Sequence, residues 1–187
     1  MEKKTDLRVV KTKRRIKEVF NELLTKKDVK KISVTELSRM AEINKGTFYL
    51  HYKDIYELYA EVLQDKVNEI VNGITFFNEF FDAPQDFIYH LAQYGKHHLR
   101  PEDYPVFQSG NFIYVQMIPE LMTEALRNKI YEQGSIERTE DNNIRLNYIL
   151  FSLYHFLQDE HPDKKYPIVS KLIVGDIRAA FPDVVKK

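Results

Sequence analysis

The side chains best suited to bind a polyanion lie in one short segment, residues 44–53. It opens with Asn44, Lys45, Gly46 and Thr47, which are small, polar or cationic residues at a point where a helix is expected to begin. Free backbone N–H groups at a helix N-terminus attract phosphate, and the first side chains of a recognition helix reach base edges in the major groove. Glycine would let the backbone approach a ligand closely. The segment therefore predicts contact with duplex DNA.

The same segment continues with groups that bind phosphate rather than bases. Tyr49, His51 and Lys53 supply a hydroxyl, an imidazole and an ammonium group toward the far end of the expected helix. Groups of this kind commonly fix the register of a protein on DNA without reading its sequence. Tyr52 could belong to this set or to the hydrophobic core.

Helical periodicity and capping residues predict the elements that hold this segment in place. Residues 7–26 form an amphipathic pattern, with apolar residues at three- and four-residue steps. Ser33 and Glu36 form a capping-box pair that opens a short helix, and Asn44 and Asp54 are placed to cap the next two helices. Two short helices joined by a three-residue turn and flanked by longer helices are typical of a helix-turn-helix domain.

The rest of the sequence predicts further helices. Helical patterns lie near residues 54–77, 85–99, 103–118, 119–133, 140–159 and 166–181. Gly occurs six times and all seven prolines lie at or after Pro84, which disfavours a sandwich or barrel built on Gly and Pro turns. The expected fold class is all-α, with a head over residues 1–53 and a helical body over 54–187.

The net charge of zero conceals a division between head and body. Residues 1–53 hold 15 Lys and Arg against seven Asp and Glu, a net charge of +8, and residues 54–187 carry −8. A basic head on an acidic body indicates a module that binds a polyanion. A solvated, lysine-rich helix without any partner would give the same charge, so charge alone leaves both interpretations open.

Several functions find no support in the sequence. The chain has no cysteine, which excludes disulfides, thiolate zinc sites, iron–sulfur clusters and cysteine nucleophiles. No phosphate loop, nucleophile elbow or zinc-hydrolase motif occurs, so we expect no catalytic residues, no enzyme activity and no cofactor. His90, Tyr94 and His97 share a helical face, and Asp86 lies four residues before His90, but hydrogen-bonded or solvent-facing histidines are favoured over a metal site. No signal peptide or membrane-spanning segment is visible, which predicts a cytoplasmic protein.

Three parts of the head share a pattern with a known family. They are Thr12 to Ile16, the helix and turn from Ser33 to Asn44, and Lys45 to Asp54, where Lys-Gly-Thr-aromatic-Tyr is followed by an aromatic-Lys pair. Over about residues 8–62 this combination resembles the N-terminal domain of TetR-type transcriptional regulators. The resemblance implies a three-helix helix-turn-helix DNA-binding domain and a C-terminal helical bundle for ligand binding and dimerisation. It further implies a ligand-responsive repressor that acts as a homodimer on a double-stranded DNA operator and responds to a small-molecule effector.

The resemblance also assigns the residues that contact DNA. They are Thr35 on the preceding helix, Lys45, Gly46, Thr47 and Tyr49 on the recognition helix, and His51 and Lys53 as phosphate contacts. Three positions depart from the family pattern: Glu42 replaces the usual turn glycine, Thr35 a frequent Arg, and Ile55 a frequent Lys. A left-handed backbone at Glu42 would cost about 1 kcal/mol, unless the turn is shaped differently. The other two departures leave an alternative open, a TetR-like protein that has lost operator binding and acts through a protein partner.

The last two predicted helices carry more apolar surface than a single helical face. The expected dimer-interface residues are Leu146, Leu150, Leu153 and Leu157 on one helix and Ile168, Leu172 and Gly175 on the other. In the family the equivalent helices form a four-helix dimer interface, and a dimer would place two recognition helices about 34 Å apart on one face of DNA. Alternatively, these helices only cover their own domain.

An aromatic segment between the head and these helices has two interpretations. By the resemblance, Tyr94, Phe107, Phe112 and Met117 are expected to line a pocket for the effector. Plain core packing is the alternative for each of these residues. The sequence does not identify the effector.

Overall fold

The computed structural model describes residues 7–98, 104–108, 116–158 and 162–185, and no strand occurs among them. The helices are α1 (Leu7–Leu24), α2 (Val34–Met40), α3 (Lys45–Tyr49), α4 (Ile55–Asn72), α5 (Glu79–Asp82), α6 (Pro84–His98), α7 (Pro105–Gln108), α8 (Ile118–Glu132), α9 (Glu140–Leu157) and α10 (Pro162–Ala180). A short 3-10 turn spans Val29–Lys31. The expected all-α fold class is confirmed.

The predicted helices are present with shifted ends. The helix expected over 54–77 ends at Asn72, and the four-residue α5 was not predicted. The helix expected over 166–181 begins at Pro162, because a missing N–H has no consequence at the first position of a helix. For the same reason Pro119 is tolerated in the first turn of α8. Of the helix predicted over 103–118, the structure describes α7 and the start of the next element.

The chain divides into two compact units, and α4 contains the boundary between them. The first unit comprises residues 1–65 and 101–116. Within it α1 packs on α2 and α7, and α2 packs on α3. Its core contains the apolar face of α1, including Ile16 and Phe20. The sequence analysis placed the boundary between the head and the body after residue 53 on functional grounds, and this boundary stays a prediction.

The second unit comprises residues 66–100 and 117–187. Here α9 packs between α8 and α10, α10 packs on α6, and α5 packs on α6. Phe80 and Phe87 meet edge to face with ring centroids 5.3 Å apart, and Phe81 meets Phe181 at the same distance. These four aromatic side chains are core residues. In the described part of the chain, no helix is long and apolar enough to cross a membrane.

Candidate nucleic-acid interface

The five-residue helix α3 is anchored by a single buried side chain. Phe48 is fully buried, whereas Lys45, Gly46 and Tyr49 are exposed and Thr47 is half-buried. Because α3 is so short, burying one residue fixes which side of it faces the core. The first turn of α3 therefore lies in solvent, as a recognition helix requires.

The N-terminus of α3 leaves hydrogen-bonding groups open. Asn44 occupies the N-cap position, but its side chain makes no capping hydrogen bond, so the expected side-chain cap is wrong. The carbonyl of Asn44 accepts from the N–H of Thr47 at 2.9 Å. The N–H groups of Lys45 and Gly46 donate to no backbone or side-chain acceptor within the described residues. These two donors and the amide of Asn44 are open to an external acceptor such as phosphate.

The turn between α2 and α3 depends on a strained residue. Glu42 has a φ of 58°, which is the left-handed region that an L-residue with a side chain adopts at a cost. The N–H of Ile43 donates to the carbonyl of Ser38 at 3.0 Å and closes the turn. The turn therefore has the left-handed backbone that glycine usually provides at this position. The backbone strain that the sequence analysis raised for Glu42 is present.

Helix α2 begins with half of the expected capping box. The hydroxyl of Ser33 accepts from the N–H of Glu36 at 3.2 Å. The carboxylate of Glu36 does not return to the backbone, because it accepts from the ammonium of Lys27 at 2.6 Å. Thr35 lies in the first turn of α2 with its side chain exposed.

The link between α3 and α4 is held by two carboxylates. Asp54 Oδ1 accepts from the N–H groups of Tyr56 and Glu57, each at 2.9 Å, which confirms the expected cap of α4. The carboxylate of Glu57 accepts from the N–H of Lys53 and so fixes the backbone there, while the Lys53 side chain is exposed. Ile55 is buried, so the residue that replaces the family's frequent Lys packs in the core.

The cations of the head fall into a paired and an unpaired group. The side chains that lie within 4.0 Å of a carboxylate are Lys13, Arg14, Arg15, Lys17, Lys26 and Lys27. The side chains without a carboxylate partner in the described part of the chain are Lys11, Lys30, Lys31, Arg39, Lys45 and Lys53. Five of the six unpaired cations lie in or next to α2 and α3, where DNA contacts were predicted. The basic charge of α1, by contrast, is largely compensated by acidic side chains.

The predicted DNA-contacting residues all lie in the first unit, on α2, α3 and the loop after α3. His51 and Thr47 are half-buried, and the other five are exposed. Sequence reasoning missed Leu50, which caps α3 and is 81% exposed. Its spacing could have revealed it, because a residue two positions after the buried Phe48 points to the opposite side of a helix.

The predicted effector residue Tyr94 has a structural role in the second unit. Its hydroxyl donates to the carbonyl of Ile70 at 2.8 Å, and its ring stacks on that of His98 with centroids 4.4 Å apart. The hydroxyl occupies the space that a Cβ at position 73 would fill, so Gly73 permits this contact between α4 and α6. Tyr94 is half-buried, and its assignment to an effector pocket stays a prediction.

The other predicted effector residues are separated between the units. Phe107 belongs to the first unit, where its ring meets that of Tyr104 edge to face at 5.3 Å. Met117 belongs to the second unit and is exposed, and Phe112 lies outside the described residues. The effector pocket stays a prediction.

The expected dimer residues divide into buried and exposed sets. Leu146, Leu150 and Leu153 are fully buried inside their own unit, so their assignment to a dimer interface is wrong, and Leu157 is half-buried. They face the core because α9 lies between α8 and α10. The exposed apolar surface, here called the α9–α10 face, consists of Ile144, Tyr148, Phe151, Ile168, Leu172 and Gly175. Three of the predicted residues therefore remain in a candidate interface.

The histidines of α6 have ordinary surroundings. His90 Nδ1 lies 2.7 Å from Glu79 Oε2, and His97 is exposed. Within the described residues, no three His, Asp or Glu side chains are grouped closely enough to hold a metal ion.

One comparison links part of the chain to a regulator. No protein-family model matches the chain. Over 75 residues it is 34% identical to an uncharacterized HTH-type transcriptional regulator, YxbF, from Bacillus subtilis (strain 168). The match covers 40% of this chain and 20% of the length of that relative.

Two solved structures resemble nearly the whole chain. A TetR transcriptional regulator from Rhodococcus sp. RHA1 has a TM-score of 0.52 and 19% identity, covering 92% of this chain and 97% of its own. AlkX from Dietzia sp. strain DQ12-45-1b, described as a TetR family repressor implicated in biodegradation of n-alkanes, has a TM-score of 0.61 and 13% identity, covering 93% and 97%. The chain has the TetR fold. In the TetR fold of this protein, α2 and α3 are the helix-turn-helix pair and α3 is the candidate recognition helix.

Proposed function

We propose that the protein is a transcriptional regulator of the TetR type that binds a double-stranded DNA operator through α3. One observation carries the proposal: the first turn of α3 is exposed, with open N–H groups and unpaired cations around it. The TetR fold and the match to YxbF support the same conclusion. We further propose that it acts as a repressor in the cytoplasm.

The proposed contacts follow from where the side chains lie. Lys45, Thr47 and Tyr49 would contact base edges or neighbouring phosphates from α3, and the open backbone at Gly46 would lie against the duplex. Thr35 would add a contact from the first turn of α2. His51 and Lys53, which follow α3, would bind phosphates and fix the register.

The proposed assembly is a homodimer formed through the α9–α10 face. Large apolar side chains exposed on two adjacent helices are unfavourable in water and indicate a partner surface. A second copy is the partner that the DNA-binding proposal requires, because two recognition helices about 34 Å apart match one turn of B-DNA. Binding of a small-molecule effector in the helical body would shift this separation and weaken operator affinity.

The salt dependence of DNA binding tests the proposal. Operators are selected from random duplex DNA, and the logarithm of the association constant is measured against the logarithm of the salt concentration. We expect a steep negative slope, because bound cations displace counterions from phosphate. Thr47→Ala should relax sequence preference more than Lys53→Ala, and Lys53→Ala should make the slope shallower by about 0.9 for each bound protomer.

Lys26→Ala is the matched control for Lys53→Ala. Lys26 is an exposed lysine of the same unit, but it is already paired with Glu22 at 2.6 Å, so the slope should not change. Binding that is absent or independent of salt, for every duplex from the genomic neighbourhood of the gene, would contradict the proposal.

The alternative function is that of a TetR-like protein that acts through a protein partner. Thr35 in place of a frequent Arg favours it, and so does the exposed apolar side chain of Leu50 beside the exposed Tyr49. Ile55 does not favour it, because this residue packs in the core. Capture of a stoichiometric protein partner, together with a DNA selection that yields no sequence, would support this alternative.

A further inference from the structure

Four charged side chains join α1 to α4 within the first unit. Lys13 Nζ lies 2.8 Å from Glu61 Oε2, and Lys17 Nζ lies 2.6 Å from Glu61 Oε1, so each oxygen of one carboxylate binds a different ammonium group. Lys17 also pairs with Asp65. Both lysines lie one turn apart on α1, and both acids lie one turn apart on α4. We call these four residues the α1–α4 charge cluster.

Tyr52 connects this cluster to the recognition helix. Its side chain is buried, and its ring lies against that of Phe48 with centroids 5.7 Å apart. Lys13 Nζ lies over the same ring, 5.0 Å from its centroid. Phe48 anchors α3, so contacts run without a break from α3 through Tyr52 and Lys13 to Glu61.

The cluster is fixed more firmly than an exposed surface ion pair. The side chains of Lys13, Lys17 and Glu61 are no more than one-third exposed, which limits screening by salt. Although burial opposes the shift, hydrogen bonds from Lys13 and Lys17 hold the pKa of Glu61 below its usual value. Glu61 is therefore ionised at neutral pH and can hold both lysines.

The environment of Tyr52 gives this arrangement a further constraint. Its hydroxyl is buried. Burial raises the pKa of Tyr52, and the negative charges of Glu61 and Asp65 raise it further. The ring of Tyr52 is held in this position by its contacts with Phe48 and Lys13.

We propose that Glu61 is a positioning residue for DNA binding. By holding Lys13 and Lys17, it fixes α1 and α4 around Tyr52 and thereby sets the orientation of α3. The two lysines, although part of the basic head, do not contact DNA. This inference rests on the proposed DNA-binding function.

Glu61→Gln tests the inference, because it keeps the shape of the side chain and removes its charge. If the head attracted DNA by charge alone, loss of a carboxylate would tighten binding. A positioning role predicts the reverse: affinity for the selected operator falls about tenfold, while affinity for an unrelated duplex does not fall. Glu61→Asp retains the charge and is expected to restore most of the lost affinity.

Glu22→Gln is the matched control, because it removes the same charge from the same unit. Glu22 pairs with Lys26 on the exposed surface of α1 and makes no contact with the cluster. The operator affinity of the Glu22→Gln variant should equal or slightly exceed that of the wild type. Thermal unfolding is measured for each variant, and DNA binding is compared at a temperature at which all of the variants are folded.

Lys13→Met separates positioning from phosphate contact. A lysine that contacts phosphate would make the salt slope shallower by about 0.9 for each bound protomer when it is removed, whereas the inference predicts an unchanged slope with weaker operator binding. A shallower slope contradicts the inference. So does a Glu61→Gln variant that binds the operator as tightly as Glu22→Gln, or equal losses in Glu61→Gln and Glu61→Asp. In these cases the proposed function stands; a wild-type protein that binds no duplex overturns both.

Discussion

At the scale of single residues, the turn before the recognition helix has a strained backbone at Glu42, and no side-chain contact of Glu42 compensates for this strain among the described residues. The side chain of Glu42 makes no ion pair or hydrogen bond among the described residues, yet its backbone is left-handed. Gly46 shows the opposite case: no atom lies within 4 Å of the position where a Cβ would be, so the protein itself does not require glycine there. Strain at Glu42 and an unneeded glycine in a helix are both local costs that the fold tolerates beside its candidate interface.

Glu42→Gly should stabilise the protein. Glycine adopts a φ near 58° without a steric penalty, so we expect the free energy of unfolding in urea to rise by about 1 kcal/mol. Glu42→Ala keeps the strain and should give no comparable gain. A glycine variant no more stable than the alanine variant would contradict the strain argument.

Gly46→Ala should separate folding from DNA binding. Alanine is the better helix former and meets no neighbouring atom, so stability should be unchanged or higher by up to about 1 kcal/mol. Operator affinity should nevertheless fall, because the added methyl group keeps the duplex away from the backbone of α3. Unfolding in urea and operator titration are measured on the same preparation, and wild-type affinity would show that this backbone does not approach DNA.

The sequence predicted which residues of the candidate interface are exposed better than it predicted the hydrogen bonds of their side chains. Gly46 and Leu50 are exposed, as their spacing of two residues from the buried Phe48 requires. The sequence could not show that the side chain of Asn44 makes no capping hydrogen bond. A cap residue is recognised by its type and position, whereas its hydrogen bond depends on the side-chain rotamer.

At the scale of elements, α9 shows why periodicity predicts a helix but not its orientation. Residues Leu146, Leu150 and Leu153 form one apolar stripe, and Tyr148 and Phe151 belong to another. Either stripe could face the core as far as spacing is concerned. The choice is made by α8 and α10, which pack on α9 from positions that the sequence of α9 does not contain. Helix existence was therefore predictable, and the buried face was not.

The contact between α1 and α4 should show a defined pH dependence. Although burial opposes both shifts, hydrogen bonds with Lys13 and Lys17 hold the pKa of Glu61 below the reference value of 4.5, and hydrogen bonds with Asp65 and Glu61 hold the pKa of Lys17 above 10.5. The stabilisation is therefore complete between these two values. It is lost as pH falls below 4.5 through the folded-state pKa of Glu61, and as pH rises above 10.5.

Glu61→Gln provides the comparison. The difference in free energy of unfolding between wild type and Glu61→Gln should be constant near neutral pH and should shrink as pH falls below about 4.5. Urea unfolding at pH 7, 5, 4 and 3 measures it. A difference that stays the same at pH 3 would show that the charge of Glu61 contributes nothing to stability.

At the scale of the whole molecule, the sequence predicted the class of fold and the position of the helix-turn-helix. It did not predict that the two compact units divide within α4, because that division depends on which residues meet in space. Beside the α9–α10 face lies an open cavity of about 470 Å³, lined by Ile144, Tyr148, Ala179 and other residues of both helices.

Leu172→Asp should convert the proposed dimer to a monomer. Leu172 is 63% exposed on the α9–α10 face, so aspartate leaves the monomer fold intact but places a charge in an apolar interface. Leu7→Asp is the control, because Leu7 is 73% exposed on α1. Sedimentation velocity should show a monomer for the first variant and a dimer for the second and for the wild type. Operator affinity should fall with dimer loss, because two linked contacts become one.

The pairing of the α1 cations with acidic neighbours has a kinetic consequence. Uncompensated positive charge in the described part of the head is concentrated around α2 and α3, so this region dominates the field that a distant polyanion meets. Encounter complexes would then form with the recognition helix already turned toward the duplex, before any hydrogen bond is made. Fewer unproductive collisions would precede docking, and that advantage would fade as ionic strength rises.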